Sequence, residues 1–335
     1  MPVTLEDHLR SCDPALAATL LALAEASGRI AERIAAGGAL GAAAGTNADG
    51  DGQKALDLIA DDIFADALAR APVRWLASEE RETATAMTEG APLAVAIDPL
   101  DGSGNIDLDV SIGSIFAVRA AGPSGPATFL APGRGLLAAG YVIYGPQTRL
   151  MLTTGAGVQA FLRVPSSGEF VLTEAQVAVP RRAAEFAINI SNTRHWPQPV
   201  KSFVDDCLAG AQGPLDADFN MRWIAALVVE AHRILIRGGV YLYPADARPA
   251  YAKGRLRLVY ECAPMAMLIE QAGGLATDGT RSILDIVPES LHARVPFVFG
   301  SADLVQRIAA YHAAPPRERS PLFGERGLFD ARSAS

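Results

Sequence analysis

The stretch Ala96-Ile97-Asp98-Pro99-Leu100-Asp101-Gly102-Ser103-Gly104-Asn105-Ile106-Asp107 sets the reading of this chain. The apolar run over residues 93–97 predicts a strand. Pro99 has a fixed φ and no N–H, so the strand is expected to stop at Asp98-Pro99 and turn. Asp98 and Asp101 then leave the strand end three residues apart, with the Leu100 carbonyl between them. Oxygen donors at such spacing suit a hard cation, Mg²⁺ or Mn²⁺. Gly102-Ser103-Gly104 lacks bulk and can aim backbone N–H groups at a phosphate. Metal ligands beside an anion cradle point to phosphoryl transfer. A polar turn whose aspartates cap a helix is the plainer alternative. The apolar strand in front of D-P-L-D-G-S favours the metal–phosphate reading.

Working outward, other carboxylates fall at comparable places. Glu79-Glu80 follow a short strand pattern over residues 73–77. A like-charged pair there reads either as a solvated turn or as a shared site, one acid on metal and one on water. Glu261 ends a strand expected over residues 257–260 and begins the next helix. That is where α/β sheets put chemistry, and equally where a helix start favours an acid. Asp51 and Asp57 flank a glycine-rich loop over residues 41–52 and a helix start, where capping is the simpler role.

Helical stripes recur: Leu16, Leu20, Leu23, Ser27, Ile30 and Ile34, then Leu56, Ile59, Ile63 and Ala67. Residues 223–237 read as a strong helix stopped by Gly238-Gly239, and residues 265–272 and 303–311 as further helices. Residues 150–154 and 158–163 suggest a hairpin around Gly155-Ala156-Gly157. Strands and helices intermix throughout, so the class is α/β, or α+β in layers. The break at Pro180-Arg181-Arg182 divides residues 1–179 from 180–312, with a loose tail expected over 313–335.

Half of the 335 residues are apolar, enough for a sizeable core, which argues against disorder for most of the chain. The net charge of −8 disfavours nucleic acid and anionic lipid as partners. Apolar runs are short or interrupted, as by Glu230, His232 and Arg233, so no membrane span is expected. Three well-separated cysteines and no leader-like start predict a reducing, cytoplasmic setting. No G-x-S-x-G elbow, phosphate-binding P-loop or histidine pair offers another chemistry.

Together these residues resemble class 1 fructose-1,6-bisphosphatase, within the Mg²⁺-dependent, Li⁺-sensitive sugar and inositol phosphatases. The likeness runs from about Ala24 to Tyr311. Its most specific parts are D-P-L-D-G-S-x-N-I-D, the segment from Arg255 to Met265, Gly238-Gly239-Val240-Tyr241-Leu242-Tyr243-Pro244 and Leu284-Asp285-Ile286-Val287-Pro288. The resemblance implies an α-β-α-β-α sandwich, a homotetramer, two or more Mg²⁺ ions and a sugar bisphosphate substrate cut at its 1-phosphate. By that likeness Glu79, Asp98, the Leu100 carbonyl, Asp101 and Glu261 are metal ligands. Glu80 and Asp57 activate water, and Asp51 reaches the metals from its loop. Asp101, Gly102, Ser103 and Gly104 cradle the 1-phosphate. Asn189, Tyr243 and Arg255 hold the sugar and 6-phosphate. Arg222 matches an arginine lent across a subunit interface, although alone it reads as a surface arginine. These assignments put seven acids in one site, so the rest of the chain is nearly neutral. Bound metal would reverse the sign for an anionic substrate.

Several positions depart from the family pattern. Gly104 stands for a second Ser, Arg255 for a Lys, Trp223 and Asn192 for Tyr residues. Arg194, in a bacterial-type Asn-x-Arg-His-Trp run, is the expected replacement for a lost phosphate contact. Ala24-Glu25-Ala26-Ser27-Gly28 lacks the animal AMP-site pattern, and no cysteine-bearing redox insertion is present. An inositol-phosphate phosphatase and a catalytically silent sugar-phosphate sensor are the rival readings. Sedoheptulose 1,7-bisphosphate is a further candidate substrate.

Overall fold

A computed structural model describes residues 2–38, 40–46 and 52–313. Its centre is an eight-stranded sheet, in the order Phe170–Val177, Val158–Arg163, Thr148–Thr153, Leu136–Tyr144, Ile112–Ala120, Leu93–Asp101, Val73–Ser78 and Thr85–Ala86. Every neighbouring pair is antiparallel except Val73–Ser78 with Leu93–Asp101. Alternation along each strand sends side chains to opposite faces. Phe116, Val118, Val142, Leu150 and Leu152 pack under Pro14–Ala35 and Ala55–Leu68. Ile115, Tyr141, Ile143 and Met151 meet Leu227–Arg237 and Ala263–Gln271 on the other side.

Those two inner helices also cover a second, five-stranded sheet, ordered Asn220–Met221, Glu185–Ala187, Val240–Tyr243, Phe297–Gly300 and Leu275–Thr277. Tyr241, Phe297 and Phe299 face the inner helices. Val240, Leu242 and Val298 face outward, under Gln198–Leu208 and Ala302–Ala313. The layers therefore run α-β-α-β-α, as expected for the fold class. The first sheet ends at Val177 and the second begins at Glu185.

Three local expectations change. The loop over residues 41–52 contains an antiparallel pair, Ala43–Thr46 with Gly52–Lys54. Ala313 ends the helix Ala302–Ala313; the rest of the expected loose tail lies outside the described residues, as does Asp51. The helix expected over residues 223–237 starts only at Leu227, because Ala225 takes a left-handed φ of 62°. A left-handed residue breaks the ladder of a right-handed helix.

Candidate active site

The strand Leu93–Asp101 does not stop at Pro99. It is buried along its whole length and continues to Asp101. Its register against Ile112–Ala120 shifts between Asp98 and Asp101, a bulge that takes up the residue without an N–H. The freed Pro99 carbonyl accepts a hydrogen bond from Ser114 Oγ at 2.7 Å. Within the bulge the Leu100 N–H donates to Asp98 Oδ1 at 3.0 Å, fixing that carboxylate. The bulge thus re-aims both aspartates without ending the sheet.

Val73–Ser78 runs parallel to this strand, so both deliver their C-terminal ends to the same edge. The Glu79 N–H donates to the Ile97 carbonyl at 3.0 Å, which sets Glu79 beside Asp98. Glu261 arrives from the second half of the chain. The strand expected over residues 257–260 is only Leu256–Arg257, followed by a wide π-helical turn, Leu258–Cys262. Such turns carry one extra residue, which rotates a side chain out of helical register. Oxygens of Glu79, Asp98 and Glu261 all lie within 4.8 Å of one another.

Two buried carboxylates and the part-buried Glu79 converge and repel. Burial is the first cause raising Glu79 and Asp98 well above the carboxylate range, and their neighbours' charges add to it. Burial also pushes Glu261 up to about 7, against the opposing Arg257 charge. Arg257, itself buried, donates through Nη1 to Glu79 Oε1, and its N–H donates to Glu261 Oε2 at 2.5 Å. Arg257, with Arg294 also acting on Glu261, does not offset three acids and their neighbours Asp101 and Glu80. Glu79 Oε2 remains buried without a hydrogen-bond partner. An orphaned oxygen, crowded acids and an all-oxygen donor set fit a divalent cation.

Asp101 turns partly away from this cluster. Its Oδ2 accepts the Val228 N–H at 2.8 Å, capping the helix Leu227–Arg237 from a residue 127 positions earlier. Burial pushes it up to about 6, opposed by the Val228 and Leu227 amides. Gly102 follows with φ 82°, and a Cβ there would lie 2.7 Å from Ala226 Cβ. Only glycine tolerates both conditions. The chain then winds through a 3₁₀ turn, Ser103–Leu108, with Ser103 half-buried and Gly104 exposed. Open space surrounds the position of a Cβ at Gly104, so sterics do not demand glycine there.

Asp57 lies in the first turn of Ala55–Leu68, buried, with Oδ2 accepting the Lys54 N–H at 2.6 Å. Its Oδ1 has no hydrogen-bond partner. Burial, opposed by the Lys54 amide and reinforced by the Glu80 charge, pushes it up to about 7. Glu80 is half-buried, and its charge acts on Asp57. One turn along the helix, Asp61 pairs with Arg81 Nε at 2.7 Å and anchors the Glu79-Glu80 turn.

The residues assigned to the distal phosphate divide. Tyr243 and Arg255 belong to one cluster: Tyr243 is raised by burial and opposed by Arg255, whose Nη1 donates to Tyr251 Oη at 3.2 Å. Arg248 lies over the Tyr251 ring, 4.3 Å from its centre. Asn189 lines a small cleft with Tyr243 and Asp246, and its Oδ1 accepts the Ser191 N–H at 3.2 Å. Arg194 is exposed and turns to its own loop, donating to His195 Nε2 at 3.1 Å and the Ser191 carbonyl at 3.3 Å. Arg222 faces Glu185, 3.9 Å from its Oε1, while the next residue, Trp223, reaches the Tyr243 ring at 6.0 Å.

Sequence reasoning missed Arg257, Arg248 and Tyr251. Arg257 had a signal: an arginine four residues before Glu261, on a segment otherwise apolar enough to be buried. The other two had none, since their meeting depends on how a 3₁₀ turn, Pro249–Tyr251, folds back.

Residues 4–175 match the family Fructose-1-6-bisphosphatase, N-terminal domain, and residues 179–313 its C-terminal domain. The chain is 58% identical over 318 residues to a fructose-1,6-bisphosphatase class 1 of Paracoccus denitrificans, covering 95% of this chain and 96% of that one. It is 54% identical over 334 residues to one from Bradyrhizobium, covering 98% of each. The fold is similar to the crystal structure of Leishmania major fructose-1,6-bisphosphatase in holo form. The TM-score is 0.88 at 34% identity, over 94% of this chain and 100% of that one.

Proposed function

We propose, on the premise that this chain belongs to the class 1 fructose-1,6-bisphosphatase family, a residue-level account of its catalysis. The chain is a metal-dependent phosphatase that hydrolyses fructose 1,6-bisphosphate. The observation that carries the account is the convergence of Glu79, Asp98 and Glu261, with an orphaned Glu79 oxygen, beside the Gly102 turn. Those three acids, with Asp101 and the Leu100 carbonyl at the edge, would hold two or more Mg²⁺ ions, or Mn²⁺. Bound cations neutralise phosphoryl charge and polarise the reacting oxygens.

The chain's own residues supply the rest. The turn over Asp101, Gly102, Ser103 and Gly104 offers N–H groups and a hydroxyl to the 1-phosphate. Glu80 takes a proton from the attacking water. Asp57, poised near neutrality, shares that proton and sets the direction of Glu80. Asp51 contributes a further acid from its loop. Water attacks phosphorus in line with the bond to the C1 oxygen; that P–O bond breaks, phosphate departs, and the C1 oxygen takes a proton from solvent to give fructose 6-phosphate. A loose transition state of this kind rewards charge placement over nucleophile strength. Tyr243, Arg255 and Asn189 hold the sugar and distal phosphate, with Arg194 at the rim. Arg222 points outward to a neighbouring copy in a homotetramer. Residues 1–179 carry the 1-phosphate turn and every proposed metal ligand but Glu261, which residues 180–312 supply together with the sugar contacts.

No helix among the described residues is long and apolar enough to cross a membrane. A cytoplasmic location is part of the proposal. The test is phosphate release from a substrate panel with and without Mg²⁺. Fructose 1,6-bisphosphate should lead, with sedoheptulose 1,7-bisphosphate second and inositol monophosphate inert. Inositol monophosphate in the lead, or no Mg²⁺ requirement, would overturn the account.

A further inference from the structure

The buried charge outside the catalytic cluster is concentrated behind one short segment, residues 222–226. Glu230 is completely buried in the first turn of Leu227–Arg237. A bare carboxylate there is strongly unfavourable unless it is paired and hydrogen-bonded. Its oxygens are both used. Oε1 accepts the Ile224 N–H at 2.7 Å, and Oε2 accepts Arg233 Nη2 at 3.1 Å and Nε at 3.3 Å. Arg233 Nη1 in turn donates to Glu185 Oε2 at 2.7 Å. Glu185 Oε1 accepts Arg237 Nη2 at 2.6 Å and is the atom that Arg222 Nε approaches at 3.9 Å.

The same segment is tied to the phosphate turn. The Ile224 carbonyl accepts from Asn105 Nδ2 at 3.2 Å. Ala226 packs where a Cβ on Gly102 would have to go. Val228 N–H caps onto Asp101. Between these ties Ala225 is held at φ 62°, a conformation an L-residue adopts only when its surroundings dictate it. Both backbone polar groups of Ile224 are thus pinned, one by Glu230 and one by the phosphate turn.

We propose that Glu230 is a positioning residue for substrate selection: by holding the elbow 222–226, it keeps Trp223 beside this chain's own phosphate turn and presents Arg222 to the site of a neighbouring copy, and so selects sugars carrying a second, distal phosphate. A leucine would fill similar space, but it would free the Ile224 N–H and unlink Arg233 from the elbow. The inference rests on the reading of Arg222 as a distal-phosphate ligand.

The experiment compares kcat/KM for fructose 1,6-bisphosphate with that for fructose 1-phosphate, which lacks the distal phosphate, on the full chain with Mg²⁺. Binding of fructose 6-phosphate by calorimetry gives a second readout free of turnover. Glu230→Leu should lower the bisphosphate preference about tenfold, a lost hydrogen bond to a charged group. Glu230→Gln keeps an acceptor for Ile224 and should stay within about threefold of the parent. Arg222→Met tests the underlying reading and should lower the preference at least as much as Glu230→Leu. If Arg222→Met lowers it and Glu230→Leu does not, while the melting temperature falls, Glu230 is merely structural and the inference fails. If Arg222→Met leaves the preference unchanged, the reading of Arg222 fails. The inference, which rests on that reading, then fails with it. Should Glu230→Leu not fold, Ala225→Gly loosens the elbow without touching a charge. An unchanged preference in that variant would overturn the proposal.

Discussion

The two ends of the site are built on opposite plans. The metal end is made of acids on a strand bulge, a strand terminus and a π turn, almost entirely buried and short of positive charge. The distal end is made of cations and a tyrosine on 3₁₀ turns and loop ends, with Arg255, Arg194 and Arg222 exposed. Burying like charges costs folding energy, and the protein recovers it when a cation binds. Exposed arginines cost little to fold and can exchange water for a phosphate. Catalytic charge is therefore stored in a strained, dry cluster, and recognition in a hydrated, adaptable one.

Removing one acid is the strongest way to break that contrast. Asp98→Asn should lower kcat by about 10³-fold or more at any Mg²⁺ concentration, because an acid that compensates charge in the transition state is lost. The melting temperature of the cation-free protein should rise, since a raised, buried carboxylate has been neutralised. Near-normal turnover would remove Asp98 from the metal set. At the other end, Arg255→Met should raise KM about 10–100-fold and leave kcat within a few-fold, the signature of lost ground-state binding. A kcat defect of equal size would mean that the two ends are not separable.

The acidic cluster also predicts a pH dependence with a definite sign. Asp57 and Glu261 are pushed up to about 7 and Asp101 up to about 6, above the ordinary carboxylate range near 4. Between roughly pH 4 and 7 the folded protein then binds more protons than the unfolded chain, so stability falls as pH rises through that window. Without cations, melting temperature should be higher at pH 5 than at pH 8. Saturating Mg²⁺ should remove most of the drop, and its own stabilising effect should grow toward pH 8 as protons no longer compete. A melting temperature that instead rises from pH 5 to pH 8 without metal would show that the acids are not mutually strained.

The comparison also explains what could be read without coordinates. D-P-L-D-G-S is dense in chemistry within six residues, so its meaning is local, and the layers follow from hydrophobic period. What escaped depends on partners far along the chain. Pro99 reads as a stop, but Ser114 takes its carbonyl and the sheet continues through a bulge. Residues 223–226 read as the start of a helix, but Asp101 supplies the cap at Val228 and leaves an elbow in front of it. Residues 258–260 read as strand, yet they form the π turn that brings Glu261 to the acids. Arg194 fits the expected role by pattern, while its guanidinium is engaged by its own loop.

The elbow gives the smallest expected effect and joins the two plans. Ala225 sits at φ 62°, where an L-residue is strained by about 1–2 kcal/mol. Glycine removes that strain but adds roughly 0.5–1 kcal/mol of unfolded-state entropy, so Ala225→Gly should stabilise by about 1 kcal/mol. That corresponds to a rise of about 2 °C in melting temperature. The same change releases the segment that Glu230 and Asn105 hold from either side, so the gain in stability should come with weaker preference for the bisphosphate. If Ala225→Gly lowers the melting temperature instead, the elbow is not strained, and its left-handed residue is simply what the capped helix requires.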